Sequence, residues 1–312
     1  MNYKKNIRKI EVGLVLLGVG FISFDKAVPR PLKNFGGLCY CNAVIQNLYN
    51  LVPLVDIISK NISTFKGFSL DPKLYLVGYF AELVEALNSG IGVNLALEKF
   101  TLAQSNKFFK GVNVQDSGEF FGHLVFDLVG NGCVSPFNCT VFDAVKNLFQ
   151  FETFAQAENY NFGLMVGAGP DIDIHDFCVS YFKNNANFRP KKQCADILVI
   201  SLIPIDQDMQ RVTAHNLELN IRDFVASPQG NSGYTYELVG KVVNTGGHYI
   251  ALIRDVLAKS PHWYKCDDEA PVIDLGTAVP LDTTYGKTTM FFYVRKDETL
   301  DNLARALRAI AK

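Results

Sequence analysis

The feature that most constrains this chain is a pair of chemically complementary residues far apart in sequence, Cys39 near the start and His248 in the last quarter. Cys39 lies in NFGGLCYCNAVIQNL, at the mouth of a predicted helix, and His248 lies in GGHYIALIRD, where a predicted strand begins. A thiol nucleophile needs a general base within hydrogen-bonding reach. Because the two segments are distant, only a folded scaffold can provide that contact. The sequence therefore predicts a cysteine–histidine site formed between two parts of the fold.

The composition is that of an ordinary globular protein and disfavours several functional classes. The 312 residues are 48% hydrophobic and 20% charged, which suits one large core or two modest ones. The net charge of −1 offers no broad basic surface, so no nucleic-acid partner is expected. The seven cysteines contain no CxxC pair, which disfavours both a disulfide framework and a zinc site. We expect no metal and no cofactor.

The sequence pattern changes from helical to extended after about residue 140. Apolar residues at helical spacing predict a helix that begins near Tyr40, with further helices over residues 74–87 and 117–129. Later segments rich in β-branched and aromatic residues predict strands over residues 195–204, 234–243, 248–255, 263–266 and 289–294. A helical lobe with the cysteine, followed by a β-rich lobe with the histidine, predicts a two-lobed α+β cysteine hydrolase.

Polar side chains near both segments can complete the predicted site. The free N–H groups at the helix start favour the thiolate, so we expect the pKa of Cys39 to lie below the ~8.5 of a free cysteine. Asp267 can accept a hydrogen bond from His248 and fix the orientation of its ring. Asp268 would point to the opposite face of a continuing strand, so the two acids have different roles. The amide of Asn34 can donate to a developing oxyanion.

Five segments in this order resemble motifs of the ubiquitin-specific proteases. LKNFGGLCYCNAVIQNL (32–48) is similar to the family's Cys box, and GHYIA (247–251) with WYKCDD (263–268) is similar to its His box. Between the boxes, QDSGEF (115–120) resembles the start of a family helix, and LVISL (198–202) resembles a buried family strand. MFFYVR (290–295) is similar to the final strand. The resemblance spans about residues 32–295, and motif matches gain weight from such shared context.

The resemblance implies a papain-like core with thumb, palm and reduced fingers, and hydrolysis of the bond that follows the C-terminal Gly-Gly of ubiquitin. Ubiquitin or ubiquitinated proteins would be the partners. By motif position, Cys39 would be the nucleophile, His248 the base and Asp267 the orienting acid. Asn34 would donate to the oxyanion, and Asp268 would support the oxyanion region.

Further residues would contact the substrate by the same resemblance. Gln115 and Asp116 would face the extended tail of ubiquitin. Gly246, Gly247 and Tyr249 would frame a narrow channel that admits only Gly-Gly, since glycine lets a substrate backbone approach closely. Asp116 has a second interpretation as the N-cap of the helix that follows it, and the two roles are compatible.

The chain departs from the motif at Gly37-Leu38, where the family has Asn-Thr directly before the nucleophile. This departure and the absence of paired CxxC motifs leave other functions open. A protease for a ubiquitin-like modifier and a catalytically weak ubiquitin-binding pseudoenzyme are the nearest alternatives. A general papain-like peptidase or transferase would use the same cysteine–histidine chemistry.

Three regions are predicted along the chain. Residues 1–28 combine basic residues with a short apolar run over residues 12–24, which suits an export signal, a membrane anchor that contacts the bilayer, or a buried strand. Residues 29–298 form the predicted catalytic domain, and residues 299–312 a helical tail. Because ubiquitin is cytosolic, we expect the activity to face the cytosol, with an anchored or exported form as the alternative.

Overall fold

The computed structural model describes residues 29–107, 116–129, 139–149, 164–168, 172–184, 195–204, 212–214, 216–225, 234–258 and 260–296. Residues 1–28, with their apolar run, Gln115 and the tail over residues 299–312 lie outside this part, so the expectations for them stay predictions. None of the helices within the described ranges is long and apolar enough to cross a membrane.

The described helices lie mostly in the first half of the chain, as predicted. They are α1 (Cys39–Asn50), α2 (Val52–Lys60), α3 (Ile62–Gly67), α4 (Tyr75–Ser89), α5 (Val93–Lys107), α6 (Ser117–Leu128), α7 (Cys139–Phe149), α8 (Ile174–Asn184) and α9 (Asp282–Tyr285). The helices predicted near Tyr40, over residues 74–87 and over residues 117–129 are confirmed as α1, α4 and α6. Pro53 lies in the first turn of α2, where a missing N–H is tolerated.

The described strands form one large sheet and one short pair. They are β1 (Leu164–Ala168), β2 (Ile172–Asp173), β3 (Ile197–Pro204), β4 (Val212–Ala214), β5 (Glu218–Asn220), β6 (Thr235–Asn244), β7 (Tyr249–Arg254), β8 (Trp263–Cys266), β9 (Ile273–Gly276) and β10 (Lys287–Arg295). The large sheet has the order β1-β3-β10-β6-β7-β8-β9, with β5 also paired to β6. The β1–β3 pairing is parallel and the others in this sheet are antiparallel. The predicted α+β fold is confirmed.

The large sheet is buried on both faces, which explains why its strands are almost continuously apolar. Adjacent residues of a strand point to opposite faces. Phe292 therefore packs with the helices in one core, whereas Phe291 packs in a second core with Trp263 and Tyr236. All four side chains are fully buried.

Hydrogen bonds join α1, the helix that begins with Cys39, to the sheet. Nδ2 of Asn47 donates to the carbonyl of Lys241 over 3.0 Å, and Nδ2 of Asn50 donates to the carbonyls of Val239 and Arg254 over 2.9 and 3.0 Å. The strand approaches the helix so closely that a Cβ on Gly240 would lie 1.9 Å from Oδ1 of Asn47. The helix that begins with Cys39 is thus fixed against β6 and β7.

A buried lysine secures the loop beside the turn that carries His248. Lys241 is 0% exposed, and its ammonium donates to the carbonyl of Pro280. Burial lowers the pKa of Lys241 to about 7, although the charge of Asp282 acts in the opposite direction. Asp282 in turn accepts a hydrogen bond of 2.9 Å from the backbone N–H of Thr288. This cluster ties the segment before β10 to β6, the strand that leads into the histidine turn.

Candidate active site

Cys39 is the first residue of α1, and its side chain is only 2% exposed. The loop before it is organised by Asn34, whose Oδ1 accepts hydrogen bonds from the backbone N–H groups of Gly36 and Leu38 over 2.9 and 3.2 Å. No side chain caps the start of the helix, and the thiol interacts with the backbone N–H groups of Tyr40 and Tyr249. The sulfur therefore lies at the interface between the start of α1 and the start of β7.

The expectation of a lowered thiol pKa is wrong. Burial raises the pKa of Cys39 above the ordinary cysteine value, and the negative charge of Asp268 raises it further. The backbone N–H groups of Tyr249 and Tyr40 act in the opposite direction and do not compensate. Removing water disfavours a charged thiolate more than the helix start favours it. Cys39 is therefore a protonated thiol at neutral pH.

His248 and Asp267 form a direct pair. Nε2 of His248 and Oδ1 of Asp267 are 2.7 Å apart, and Nζ of Lys265 lies 2.8 Å from the other carboxylate oxygen. Burial raises the pKa of Asp267, but hydrogen bonds and charge from Lys265 and His248 outweigh it and lower that pKa. An ionised carboxylate only accepts hydrogen bonds, so Nε2 of His248 carries the proton and Nδ1 is the basic nitrogen.

Asp268 has a different set of partners. Its Oδ2 accepts from Nδ2 of Asn34 and its Oδ1 accepts from Nδ2 of Asn42, both over 2.8 Å. From the sequence we expected Asp267 and Asp268 to point to opposite faces of one strand. In the structure β8 ends at Cys266, and Asp268 has a left-handed φ of 48° in the turn that follows. This turn, rather than strand alternation, directs the carboxylate away from that of Asp267. The structure thus brings Asp268 to the predicted oxyanion donor, Asn34.

No hydrogen bond directly joins the side chains of Cys39 and His248, both of which are described. Nε2 of His248 lies 2.7 Å from Asp267 and 4.0 Å from Oδ2 of Asp268. The connection to the thiol passes through Tyr249, the next residue, whose backbone N–H interacts with the sulfur. The polypeptide chain therefore holds His248 near Cys39, because the next residue contacts the sulfur.

Three of the predicted substrate-contacting residues, Gly246, Gly247 and Tyr249, lie in or directly after the turn that carries His248. Gly246 and Gly247 have φ values of 94° and 105°, and both N–H groups donate to Oδ1 of Asn244. This left-handed conformation requires glycine, whereas a Cβ at either position would meet no atom of the chain within 4 Å. The turn therefore leaves open space beside Gly246 and Gly247.

Asp116 is the N-cap of α6, since its Oδ1 accepts a hydrogen bond of 2.9 Å from the backbone N–H of Glu119. The capping interpretation is confirmed, and the side chain remains exposed. Burial raises the pKa of Tyr249, a side-chain hydrogen bond with Asn244 acts in the opposite direction, and the charge of Asp116 raises the pKa further. The role of Asp116 in substrate binding stays a prediction.

Two residues of the site were not assigned roles from the sequence. Asn42 lies one turn after Cys39 and links α1 to Asp268, and Lys265 holds the outer oxygen of Asp267. Both left a signal. Asn42 is a polar residue in the apolar pattern of α1, and Lys265 is two residues from Asp267, a spacing that places side chains on the same side of an extended segment.

Two compact groups of ligand-type side chains occur in the described part of the chain, Asp173 with His175 and Asp176, and His248 with Asp267 and Asp268. In the second group, the carboxylates already accept hydrogen bonds from Asn34, Asn42 and Lys265. Its geometry is that of an acid–base site in which hydrogen bonds satisfy the carboxylates.

Comparisons with known proteins identify the family of the chain. The model of the ubiquitin carboxyl-terminal hydrolase family matches residues 30–277, within the predicted catalytic domain. Over 99 residues the chain is 28% identical to ubiquitin carboxyl-terminal hydrolase 4 of Arabidopsis thaliana, a match that covers 31% of this chain and 27% of the relative. The chain thus spans about a quarter of that curated relative's length.

Solved structures share the fold at low sequence identity. The SAGA Ubp8/Sgf11/Sus1/Sgf73 DUB module bound to ubiquitin aldehyde aligns with a TM-score of 0.63 at 15% identity, over 86% of this chain and 70% of that chain. A form of that module bound to monoubiquitin aligns with a TM-score of 0.65 at 14% identity, over 86% and 69%. The resemblance seen in the sequence is confirmed: the chain belongs to the ubiquitin carboxyl-terminal hydrolase family.

Proposed function

We propose that this chain is a cysteine-type deubiquitinase that hydrolyses isopeptide or peptide bonds at the C-terminal glycine of ubiquitin. The observation that carries the proposal is the His248–Asp267 pair, 2.7 Å apart, held next to a thiol at a helix start in a member of this family. The ubiquitin-bound structures with the same fold support ubiquitin as the partner.

The chemistry follows from the protonation states of the site. Because Nε2 of His248 is bonded to an ionised Asp267, Nδ1 can accept the proton of the Cys39 thiol. The sulfur then attacks the carbonyl carbon of the terminal glycine, and His248 returns the proton to the departing amine. Water hydrolyses the resulting thioester with His248 again acting as the base, which regenerates the thiol.

Asn34 is positioned to stabilise the oxyanion that forms in both steps. An amide group has two N–H donors, and Asp268 takes one of them over 2.8 Å. The second can donate to the oxyanion, and the backbone N–H at the start of α1 can add another donor. One such donor is typically worth ~2.7–4 kcal/mol of transition-state stabilisation. Asp268 then acts as a positioning residue, since it fixes the amide relative to Cys39.

Residues on the Tyr249 side would bind the tail of ubiquitin. The exposed carboxylate of Asp116 suits a basic tail, and Gln115 would contribute next to it. The open space before Gly246 and Gly247 suits a strand that ends in two glycines, which have no side chains to exclude.

The decisive experiment incubates the full chain with ubiquitin whose C-terminus bears an electrophile. We expect a covalent adduct on Cys39, which mass spectrometry of peptides would locate. Cys39→Ala should form none, whereas Cys178→Ala, which changes a buried thiol in the second core, should react like the wild type.

Other outcomes would redirect the assignment. Labelling only by the tail of a ubiquitin-like modifier would replace ubiquitin as the substrate. Ubiquitin binding without turnover would favour a pseudoenzyme, a function that the raised pKa of Cys39 makes worth testing. Cleavage of casein as readily as of ubiquitin conjugates would indicate a general peptidase.

A further inference from the structure

A cleft of about 410 Å³ opens next to the nucleophile's loop, and we name it the α5 cleft. Phe35 and Leu38 line it from the loop, and the other wall is formed by the α5 residues Glu98, Thr101, Leu102 and Ser105. Leu38 directly precedes Cys39, and Phe35 directly follows Asn34. The cleft therefore adjoins the point at which a scissile bond would lie.

The apolar wall of the cleft comes from the departure noted in the sequence. Leu38 stands where the family motif has a threonine, so an isobutyl group replaces a hydroxyl next to the nucleophile. Leu102 lines the same cleft from α5 and is 60% exposed, whereas Leu38 is 7% exposed. Large apolar side chains grouped around a concave surface are typical of a binding site.

The position of the α5 cleft indicates which part of a substrate it binds. Gly247 and Tyr249, which are predicted to hold the ubiquitin tail, lie at the start of β7, and neither they nor Asp116 line the cleft. The tail ends at the carbonyl that the thiol attacks. Whatever is attached beyond that carbonyl must leave the site away from the tail, and the α5 cleft is a concave surface next to the loop of Cys39 that none of these three residues lines.

We infer that the α5 cleft binds the leaving-group side of the substrate, namely the peptide segment around the modified lysine, with an apolar residue of that segment between Leu38 and Leu102. Glu98 adds charge selectivity, since its carboxylate is exposed and has no ion-pair partner in the described part of the chain. A basic segment with one apolar side chain is therefore the favoured occupant. The inference rests on the proposed function and adds to it a preference for the conjugated protein.

The test compares two substrates of the full chain. One is ubiquitin with a small fluorescent amide at its C-terminus, which occupies only the tail side. The other is ubiquitin joined by an isopeptide bond to a basic peptide that carries leucine next to the modified lysine. Leu102→Ser should lower kcat/KM for the peptide conjugate about tenfold, mainly through KM, because burial of a leucine is lost. Turnover of the fluorescent amide should stay within about twofold.

The chain provides a matched control. Leu95 lies on the same helix and is also 60% exposed, but it does not line the cleft, so Leu95→Ser should change neither substrate. Equal losses on both substrates in Leu102→Ser, or no loss on either, would overturn the inference. Replacing the leucine of the peptide by serine should lower kcat/KM in the wild type but not in Leu102→Ser.

Failure of the proposed function gives a different result. In that case the wild-type chain cleaves neither substrate. Titration of the free peptide into the Cys39→Ala chain then tests binding at the α5 cleft independently of turnover. Binding that Leu102→Ser abolishes and Leu95→Ser retains would support the cleft, and the absence of binding would overturn it.

Discussion

The two sides of the site are built in different ways. The side of the site that carries the proposed base is partly exposed and is formed by residues close in sequence. The side chains of His248 and Asp267 are 41% and 29% exposed, and the two residues are only 19 positions apart. The nucleophile side is buried and non-local, because Cys39 is 2% exposed and Asp268 reaches Asn34 and Asn42 across more than 200 residues. His248, the proposed base, thus already contacts Asp267 before substrate binds, whereas burial and the charge of Asp268 raise the pKa of the Cys39 thiol. Activation of the thiol is the step on which the site depends.

The largest effect is expected from removing the base. His248→Ala should lower kcat by ~10²–10⁴-fold, because the buried thiol then has no group to accept its proton. Assays with a fluorescent ubiquitin amide would measure the loss. The matched control is His262→Ala, since His262 is also a partly exposed histidine paired to an aspartate, Asp274, at 2.9 Å. Equal losses in both variants would show that the His248 effect is not catalytic.

The next effect separates the two neighbouring aspartates. In Asp268→Asn, one of the two amides, Asn34 or Asn42, loses its acceptor, and a hydrogen bond to a charged group is worth ~1.5–3 kcal/mol. Turnover should therefore fall by roughly 10–100-fold. The pKa of Cys39 should fall at the same time, because the charge that raises it is gone.

Alkylation of Cys39 measured against pH tests the second half of that prediction. A lower thiol pKa means more thiolate at pH 7, so alkylation of Asp268→Asn should begin at lower pH than in the wild type. Asp267→Asn should also lose turnover but keep the wild-type alkylation profile, since Asp267 is not among the groups that shift the thiol. An unchanged profile in Asp268→Asn would contradict the assigned cause.

The smallest effect concerns the contact between the two sides. Gly240→Ala should lower the free energy of unfolding by ~1–3 kcal/mol, because the new methyl group would overlap Asn47, whose amide is already bonded to β6. Denaturant titration would measure it. Gly122→Ala in α6 meets no atom within 4 Å and should instead stabilise the chain by ~0.5–1 kcal/mol. An unchanged free energy of unfolding in Gly240→Ala would mean that α1 can move away from β6 without cost.

The sequence was most informative where the determinants are local. The apolar runs that became β3, β6, β7 and β10 were found because burial on both faces leaves a continuous pattern. The pairing of His248 with Asp267 was foreseen because His248 directly precedes β7 and Asp267 directly follows β8, the strand paired to it. Helix α5 was missed, since its exposed Leu95 and Leu102 obscure any single apolar stripe.

The sequence misled where distant groups decide. The helix start alone predicted a lowered thiol pKa, but the packing around Cys39 and the charge of Asp268 come from segments far along the chain. The left-handed backbone of Asp268 was equally hidden, because a strand pattern gives no sign of where the strand stops. Charge and solvation at a buried atom depend on the assembled fold, which local pattern does not specify.

The buried lysine of β6 has a consequence for how this protein's activity would be interpreted. With a pKa of about 7, Lys241 releases its proton in the range where cysteine proteases are usually assayed. If the rate depends on the segment that Lys241 holds, a bell-shaped profile of rate against pH contains an ionisation that belongs to neither Cys39 nor His248. The pH dependence of the rate should therefore also be measured for Lys241→Met before its two apparent pKa values are assigned to residues.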